Sequence, residues 1–507
     1  MRLSVALESL QAHAFERAAA CLAFGAIMLL GAVLMLHRLG AAEVCSSNEA
    51  VEGLVVQQMV EHGNILFPLL NASEPMYKPP LFHWTATVLA HLLGVRDVSE
   101  LTLRLPSVFY GLAGILLTMV LVRGWLGLPS AVLAGLVLLG SYQYIDEARF
   151  GRVDMALTFC EALALFAFCW WISARSDARA RAGDSTRLGG RVTATHYLFA
   201  GALGLGVLAK GPVGMMLPLL AAVVFLLTQK RWDDLRALCS PGPALVLLAV
   251  SASWYAACLW SQHLDILHRQ IISENFGRFF GDLYTMHPWY YLQPLLLNSL
   301  PFSLLVPVAV VHALRARGKN GSQRGLDTAR AMILAIFWLT TIVFFSIAAY
   351  KRRAYLLPLW PPAAALLVWW LGTHPIERCR KVRTGAFALS CGALITFNFI
   401  YIPLAERAAC HARYRDTVAA INQIVARGEP LYSWGLTEDP ASLLFYLDRT
   451  VPPLPGSLAD APRGYIVVPE DAWTGDRAND ALSPVLRFTA ERRRLILLES
   501  RPHVPPS

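Results

Sequence analysis

The feature of this sequence that most restricts its fold is a series of apolar runs of the length that crosses a lipid bilayer. A transmembrane helix needs about 20 mainly apolar residues. The runs occupy residues 18–37, 105–123, 129–146, 155–173, 196–210, 212–229, 243–261, 291–313, 331–349, 354–372 and 385–404. Backbone polar groups inside a bilayer must be hydrogen-bonded within their own segment, so these runs predict eleven transmembrane helices.

The composition excludes several other classes of protein. Apolar residues make up 56% of the 507 residues and charged residues only 16%, against about 25% charged in an average soluble protein. This excludes a disordered chain, a collagen-like fibre and a small disulfide scaffold, and it argues against a soluble globular enzyme. The net charge is +9, but zinc-finger spacings and RNP motifs are absent from the sequence, so we predict no nucleic-acid partner.

Basic residues in the connecting segments predict the orientation of the bundle. They accumulate in 174–195, 314–330 and 373–384, and basic loops stay on the cytoplasmic side of a membrane. With eleven spans and a cytoplasmic N-terminus, all three segments face the cytoplasm. The segments expected on the outer side are 38–104, 147–154, 262–290, 350–353 and 405–507.

Two segments of the first outer loop are expected to lie at the membrane surface. Residues 79–94 are apolar but only sixteen long, and counting them as a span would reverse every later loop. A segment this short lies in the interface or re-enters the membrane, and of these two we expect the interfacial position. Residues 49–62 predict a surface helix, because apolar residues recur there at helical spacing. These are Val51, Leu54, Val55 and Met59, with Glu52 and Glu61 on other faces.

The C-terminal segment changes in character. Residues 405–507 have an ordinary mixed composition, and a length of about 100 residues is enough for an independent core. We predict a small α/β domain with helices at 414–427 and 441–447 and strands at 430–434, 464–468 and 494–498. The predicted division is therefore 1–404 for the bundle and 405–507 for this domain. Cys45 and Cys410 both fall on the predicted outer side, where a disulfide between them is one alternative.

Ionisable groups at membrane depth are costly and are therefore candidates for function. In the predicted topology they collect at the outer ends of the spans. They are Glu49, Lys78, Arg149, Arg152, Asp154, Lys210, Glu274, Arg278, Asp282, His287, Lys351, Arg352 and Arg353. Several cations with few acids suit a ligand that carries phosphate, with an acidic residue near its reacting centre.

The acidic candidates and Lys78 have structural alternatives that the sequence leaves open. Glu49 follows Ser46 by three residues, which fits a capping box. Asp154 also fits the start of a helix or an ion pair with a nearby arginine. Lys78 precedes two prolines and fits a lysine that extends to the interface.

The other basic candidates also have structural alternatives. Lys351, Arg352 and Arg353 oppose the positive-inside bias and fit an anionic lipid head group. Lys210 in the phrase AKGP fits a helix break, and His287 fits a structural histidine.

Several phrases resemble the membrane glycosyltransferases that use polyprenyl-phosphate sugars. The resemblance is to the bacterial branch that includes the lipid A aminoarabinose transferase and relatives of the protein O-mannosyltransferases. The matching stretches are Asn48-Glu49, MYKPPLFHW (76–84), LRLPSVFYGL (103–112), EARFGRVDMAL (147–157), GVLAKGPVGMMLP (206–218), ENFGRFFG…HPWYYL (274–292) and YKRRAYLLPLWP (350–361).

The resemblance implies the fold and part of the site. The fold is an all-α polytopic membrane bundle of the GT-C type with about 11–13 transmembrane helices, to which this sequence adds a small C-terminal periplasmic α/β domain. The family's first outer loop carries an Asp-Glu pair, which is Asn48-Glu49 here. Its second acid matches Asp154. Its K-P-P lysine, which contacts the donor phosphate, matches Lys78, and Tyr77 replaces the glutamate that often precedes that lysine.

The predicted function is an integral inner-membrane glycosyltransferase that moves a sugar from a polyprenyl-phosphate donor to an envelope acceptor at the periplasmic face. The acceptor is a lipid A-type glycolipid, a glycan or a protein. We assign Glu49 and Asp154 to catalysis, the donor phosphate to Lys78, Arg149, Arg152, Lys351 and Arg352, and the lipid tail to the surroundings of Lys210.

The predicted reaction requires no cofactor. Some members of the family bind a divalent metal, for which Glu274 and His287 are the candidate ligands here. Two other functions remain open: a transporter or flippase of an anionic lipid-linked substrate, and a non-catalytic lipid-binding assembly subunit.

Overall fold

The computed structural model describes most of the chain. The described residues are 2–71, 74–182, 193–281, 286–300, 302–316, 323–373, 376–396, 400–401, 404, 414–426, 428–436, 440–447, 449–458, 461–474, 482–490 and 493–500. Among the sequence candidates, Asp282 and Cys410 lie outside these ranges.

The described chain is mainly helical. Helices α1 to α9 are, in order, Arg2–Leu36, Ser47–His62, Leu81–Leu92, Glu100–Leu126, Leu128–Leu139, Tyr142–Ala148, Val153–Ala182, Ala194–Lys210 and Val213–Thr228. Helices α10 to α18 are Trp232–Leu238, Pro241–Trp260, Leu264–Leu267, Arg278–Phe280, Leu292–Leu297, Val306–Arg315, Gln323–Ile347, Trp360–Gly372 and Ile376–Thr396. A π-helix covers His268–Gly277, and 3-10 helices cover Pro288–Tyr291, Phe302–Leu304 and Arg353–Leu359.

Six helices of the described chain are long and apolar enough to cross a membrane. They are Phe15–Leu36, Glu100–Leu126, Val153–Arg179, Pro241–Trp260, Gly325–Ile347 and Arg353–Gly372. The bent pair α5 and α6, which meet at 68°, gives a seventh if the two form one span. Four other helices coincide with further predicted runs but are too short or not apolar enough to belong to this group. They are α8, α9, α15 and α18.

The predicted continuous span at 291–313 is wrong. The segment is divided into the end of the 3-10 helix Pro288–Tyr291, α14, the 3-10 helix Phe302–Leu304 and α15. Prolines explain the interruption, because proline lacks the N–H that continues a helix. Pro294, Pro301 and Pro307 recur through this run.

The chain separates into two compact units. Unit 1 comprises residues 1–37, 77–82 and 106–401, and unit 2 comprises 38–76, 83–105 and 402–507. Most of the predicted first outer loop is therefore grouped with the C-terminal segment, whereas the sequence division placed it with the bundle.

Unit 2 contains the predicted α/β fold. Strands β3 (Leu431–Ser433), β4 (Gly464–Pro469), β5 (Leu482–Ala490) and β6 (Arg493–Ser500) form a sheet in the order β3-β4-β6-β5. The β3–β4 pair is parallel, and the other two pairs are antiparallel. Helices Tyr414–Ile424, Ala441–Tyr446 and Glu470–Thr474 accompany the sheet, and β1 (Leu69–Leu70) pairs with β2 (Glu74–Pro75). The sequence predicted three of the four sheet strands and missed β5.

Helix α2 packs against the C-terminal segment, and its position at the membrane surface stays a prediction. Glu49, Glu52, Val55 and Met59 are all buried, and a Cβ at Gly53 would lie 2.5 Å from Phe445 of the C-terminal segment. The helix packs inside unit 2 because glycine allows this close approach. Its two buried acidic residues, Glu49 and Glu52, have side-chain partners that are described below.

Other contacts join the loop to the C-terminal segment. The backbone N–H of Val44 donates to the Tyr446 hydroxyl at 2.7 Å. That hydroxyl donates to Glu100 at 2.9 Å, and Arg415 also donates to Glu100 at 2.6 Å. Cys45 is disulfide-bonded, and its pairing with Cys410 stays a prediction.

Candidate active site

Two helix ends in unit 1 place opposite charges side by side. Asp154 lies in the first turn of α7, and Lys210 is the last residue of α8. The helix dipole favours an acid at the N-terminus and a cation at the C-terminus. Lys210 Nζ donates to Asp154 Oδ1 at 2.5 Å, and the side chains are only 18% and 8% exposed. The pair therefore joins the start of α7 to the end of α8.

Gly211 allows α8 to end at this point. Its φ is +90°, and a Cβ there would lie 2.3 Å from Gln270 Nε2. A left-handed backbone conformation favours glycine, and Pro212 then prevents the helix from continuing. The phrase AKGP thus marks a helix break, which is the structural alternative given for Lys210 in the sequence analysis. Its lysine also belongs to the charged site.

Asp154 is one member of a longer series of ion pairs. Arg152 Nη2 donates to Asp154 Oδ2 at 3.1 Å, and Arg152 Nη1 lies 3.4 Å from Glu147 Oε2. Arg353 Nε lies 3.6 Å from Glu147 Oε1, and Arg353 Nη2 donates to Asp146 Oδ2 at 2.7 Å. We call the series Asp146–Arg353–Glu147–Arg152–Asp154–Lys210 the ion-pair chain. Acids and bases alternate along it, so its six formal charges sum to zero.

Two further cations act on this chain. The charge of Arg352 acts on both Asp154 and Lys210, and the charge of Lys78 acts on Lys210. Arg352 is half-buried, and its backbone N–H donates to the Tyr291 hydroxyl at 3.3 Å. Within the described ranges, its guanidinium makes no hydrogen bond and no ion pair. Arg352 thus adds a positive charge beside Asp154 with which no carboxylate of the described chain pairs.

Aromatic rings line the same region. The ring of Tyr355 lies 4.7 Å from Lys210 Nζ. The Tyr77 ring lies 5.4 Å from Lys78 Nζ and 4.8 Å from the guanidinium carbon of Arg269. Cations gain from contact with the negative face of a ring. Tyr77, which replaces an acid of the family pattern, therefore still contacts the cation that follows it.

Two of the predicted phosphate ligands donate to main-chain carbonyls. Arg149 Nη1 donates to the carbonyl oxygens of Leu34, Met35 and His37 at 2.7–3.1 Å, where α1 ends. Lys351 is 2% exposed, and its ammonium donates to the carbonyls of Met286 (3.1 Å) and Ala348. Both residues thus contribute to the fold beside the ion-pair chain.

The other predicted catalytic acid, Glu49, is also engaged. It is 1% exposed and accepts from Arg104 through both oxygens, with Nε at 2.7 Å and Nη2 at 3.2 Å. One turn further along α2, Glu52 pairs with His83 Nε2 at 2.6 Å. Both pairs belong to unit 2. The capping geometry is partly present, since the Glu49 N–H donates to the Ser46 carbonyl at 2.9 Å.

The candidate metal ligands have other partners. Glu274 pairs with Arg278 at 2.7 Å, and His287 stacks on Trp289 with centroids 5.1 Å apart. Burial lowers the pKa of Arg278, but the charge of Glu274 raises it above its usual value. In the described part of the chain, no three His, Cys, Asp or Glu residues lie close enough together to hold a metal ion.

Sequence reasoning missed Asp146 and Glu147 as site residues, and it named Arg353 as a candidate without assigning it to the site. Asp146 and Glu147 belong to α6, just before the phrase RFGRVD, and Arg353 ends the KRR triplet. Asp146 and Glu147 could have been identified because they are two acids at the end of an apolar run, where ionisable groups are costly.

The chain is similar in sequence to known membrane transferases. The profile of the dolichyl-phosphate-mannose-protein mannosyltransferase family matches residues 26–268. An undecaprenyl phosphate-alpha-4-amino-4-deoxy-L-arabinose arabinosyl transferase of Erwinia tasmaniensis is 27% identical over 68% of this chain and 57% of its own length. One of Pseudomonas aeruginosa is 30% identical over 61% of this chain and 52% of its own. The chain therefore spans about three fifths of the length of such relatives.

The fold is also similar to a solved structure. ArnT from Cupriavidus metallidurans bound to undecaprenyl phosphate has a TM-score of 0.73 and 18% identity, over 96% of this chain and 98% of that chain. An archaeal oligosaccharyltransferase from Archaeoglobus fulgidus has a TM-score of 0.56 and 13% identity, over 91% of this chain and 70% of that chain. The predicted fold class and the predicted resemblance to polyprenyl-phosphate-sugar-dependent transferases of the GT-C type are confirmed.

Proposed function

We propose that this multi-pass membrane protein is a glycosyltransferase that moves a sugar from a polyprenyl-phosphate donor to an envelope acceptor. The acceptor would be a lipid A-type glycolipid, a glycan or a protein. The relatives named above are transferases of sugars carried on polyprenyl phosphates, and a structural neighbour binds undecaprenyl phosphate. The donor assigned here is of that class.

The positive charge of Arg352 beside the ion-pair chain carries the proposal. The ion-pair chain sums to zero, and the charge of Arg352 acts on both Asp154 and Lys210. A sugar phosphodiester carries one negative charge, and the polyprenyl phosphate that leaves becomes a monoester with a second. Preorganised cations stabilise charge that develops in this way, and they act most strongly where water is excluded.

The reaction then divides among the residues as follows. Lys78 and Arg352 bind the donor phosphate, Lys as a point charge and Arg as a fork. The bond between the sugar C1 and the phosphate oxygen breaks, its electron pair stays on the phosphate, and an acceptor oxygen forms the new bond to C1. Asp154 orients that acceptor and takes its proton where the acceptor is a hydroxyl. Lys210 and Arg152 hold the Asp154 carboxylate in place.

The proposed reaction uses no cofactor, because the donor already carries a phosphate leaving group. The alternative is a divalent ion bound through Glu274 or His287, and an assay in excess chelator tests it. Unchanged transfer after chelation supports the cofactor-free reaction. Loss of transfer that added Mg²⁺ or Zn²⁺ restores contradicts it.

We also propose that the N-terminus lies in the cytoplasm and the C-terminal domain in the periplasm. The basic segments 174–195, 314–330 and 373–384 support this orientation through the positive-inside rule. Reporter fusions after residues 230 and 500 test it. A cytoplasmic signal at the first site and a periplasmic one at the second are expected, and the reverse pattern contradicts the proposal.

One experiment tests the proposed function directly. Mass spectrometry of envelope lipids and glycans compares cells with the protein, without it, and with the Asp154→Asn or Lys78→Ala variant. We expect a sugar-modified product that requires the protein and is lost in both folded variants. Translocation of a lipid-linked substrate without such a product favours a transporter instead. Full activity in both variants removes the site assignment.

A further inference from the structure

We infer that Glu147 is a positioning residue for this reaction. It divides the guanidinium of Arg152 between two carboxylates, and so keeps Asp154 from being fully neutralised. The inference rests on the proposed function, because it concerns the availability of Asp154 to an acceptor. Neither the resemblance to the glycosyltransferases nor the positive-inside rule gives Glu147 a role.

The environment of Glu147 is unusual for a carboxylate. Its side chain is 0% exposed, and neither oxygen has a hydrogen-bond partner in the described part of the structure. Its nearest cations are Arg152 at 3.4 Å and Arg353 at 3.6 Å. A buried carboxylate is tolerated when it is paired. Two guanidinium groups therefore face Glu147 at distances longer than a charge-assisted hydrogen bond, which is about 2.7–2.9 Å.

Arg152 uses different nitrogens for its two acids. Nη1 faces Glu147 at 3.4 Å, and Nη2 donates to Asp154 Oδ2 at 3.1 Å. Without the charge of Glu147, the attraction of a second carboxylate for Nη1 is lost. The guanidinium would then bind Asp154 as a fork, the geometry that arginine and carboxylate favour. Lys210 already occupies Asp154 Oδ1, so both oxygens would be more tightly held by cations.

Asp146 does not replace Glu147 as a partner of Arg152. Its own partner is Arg353, which other contacts hold in place. Arg353 donates to Asp146 at 2.7 Å, and the main-chain carbonyl of Arg353 accepts from Gln143 Nε2 at 2.6 Å. The Gln143 side chain in turn accepts from Trp360 Nε1 at 2.9 Å. Gln143, Asp146 and Glu147 all lie on α6. This helix fixes Arg353 at one end of the series and leaves Glu147 as the acid that faces Arg152.

The test is a comparison of Glu147→Gln with Glu161→Gln in the full-length protein. Glu161 is a matched control, because it is 0% exposed and its oxygens also lack a hydrogen-bond partner among the described residues. The charge of Lys210 acts on Glu161, but no arginine of the described chain lies within ion-pair distance of it. The control therefore removes a buried acid beside the site without removing a partner of Arg152. Kinetics use the donor identified by the envelope comparison, and undecaprenyl phosphate is the probe for binding without turnover.

We expect E147Q to lower kcat by roughly 100-fold, the scale of a 1 Å misplacement in an active site. The donor KM and the Kd for undecaprenyl phosphate should change less than about threefold, because Lys78 and Arg352 bind the phosphate. E161Q should keep kcat within about threefold of wild type. A simple loss of packing would not separate kcat from KM in this way. Wild-type kcat in E147Q, or a raised KM with unchanged kcat, overturns the inference.

A double variant shows whether Glu147 acts through Arg152. In the Arg152→Gln background, E147Q should lower kcat by no more than about threefold, because the guanidinium that it positions is gone. A full additional loss means that Glu147 acts by another route and overturns the inference. If E147Q alone does not fold, R152Q and E147Q/R152Q still give this comparison, since the double variant leaves no unpaired partner.

The same measurements separate this inference from the proposed function. A wild-type protein that transfers no sugar contradicts the proposed function and the inference together. An active wild type with an unaffected E147Q contradicts the inference alone.

Discussion

Lys210, the last residue of α8, donates a hydrogen bond to Asp154 in the first turn of α7. Each charge lies at the helix end whose dipole favours it. The pair also ends the ion-pair chain that runs back through Arg152 to α6. One contact thus has two roles: it joins helices α7 and α8, and it holds the carboxylate that the proposed reaction uses.

The two roles predict different behaviour for single and double variants. Lys210→Met leaves Asp154 with one fewer cation, and breaking a buried pair in this way costs about 3–5 kcal/mol. K210M/D154N removes both partners and should recover most of that stability. Thermal unfolding in detergent measures the difference, and sugar transfer should be absent from both variants.

An exposed pair provides the control for this prediction. Arg236 and Asp233 lie 3.8 Å apart with side chains 84% and 66% exposed, so Arg236→Met should cost less than about 1 kcal/mol. If K210M is no less stable than R236M, the contact between Lys210 and Asp154 does not join the helices. If K210M/D154N transfers sugar normally, Asp154 has no role in the reaction.

Two adjacent cations should respond differently to removal. The ammonium of Lys351 donates to two main-chain carbonyls, whereas the guanidinium of Arg352 has no hydrogen bond in the described structure. Arg352→Ala should therefore weaken undecaprenyl phosphate binding about 10- to 100-fold, the equivalent of a charged hydrogen bond worth roughly 1.5–3 kcal/mol. Lys351→Met should instead lower stability by about 1–3 kcal/mol.

Titration of the purified protein with undecaprenyl phosphate, alongside thermal unfolding, checks both effects. Higher ionic strength should reduce the difference between R352A and wild type, since it screens the charge that Arg352 supplies. An R352A variant with wild-type affinity would contradict the assignment of this residue to the phosphate.

The sequence predicts the spans and the chemistry of the site better than it predicts individual pairings. Apolar periodicity, the positive-inside rule and helix-break residues report on local backbone and membrane position. Arg149 and Arg152 show the limit: they are three residues apart, yet one caps α1 through carbonyls and the other pairs with Asp154. A guanidinium can donate to a carbonyl, a carboxylate or a phosphate. Its partner therefore depends on tertiary positions that a single sequence does not encode locally.

Two misses in unit 2 have related causes. Strand β5 is buried only at its two ends, lies along one edge of the sheet and contains Pro484, so its sequence lacks the apolar run that identified the other strands. Helix α2 has an apolar stripe that fits a membrane surface equally well. Its burial depends on Phe445, which is almost 400 residues further along the chain.

Glu49 and Arg104 give a test of the other predicted catalytic acid. Their bidentate pair is buried, so Arg104→Met should lower stability by about 3–5 kcal/mol. Replacing both by methionine removes the unpaired charge and should restore folding to near the wild-type level. The informative measurement is sugar transfer by E49M/R104M. Retained transfer assigns Glu49 to the fold of unit 2, whereas a folded but inactive double variant supports the catalytic role predicted from the motif.

Gly211 allows a test of how strictly the position of Lys210 is fixed. Its φ of +90° favours glycine, and a Cβ would lie 2.3 Å from Gln270 Nε2. Gln270 is 1% exposed and has little room to move. Gly211→Ala should therefore cost about 1–3 kcal/mol in backbone strain and displace the end of α8. Because Lys210 is the preceding residue, transfer should fall by roughly 100-fold, as for other misplacements of about 1 Å.

Gly201 in the same helix is the matched control for this variant. A Cβ there would meet Val246 at 3.8 Å, which is ordinary van der Waals contact. Gly201→Ala also removes a flexible residue from a helix interior, where alanine is favoured by roughly 0.5–1 kcal/mol. G201A should therefore unfold at or above the wild-type temperature with full transfer. Equal activity in G211A and G201A would mean that the site tolerates movement of Lys210. The rate would then depend on Lys78 and Arg352 alone.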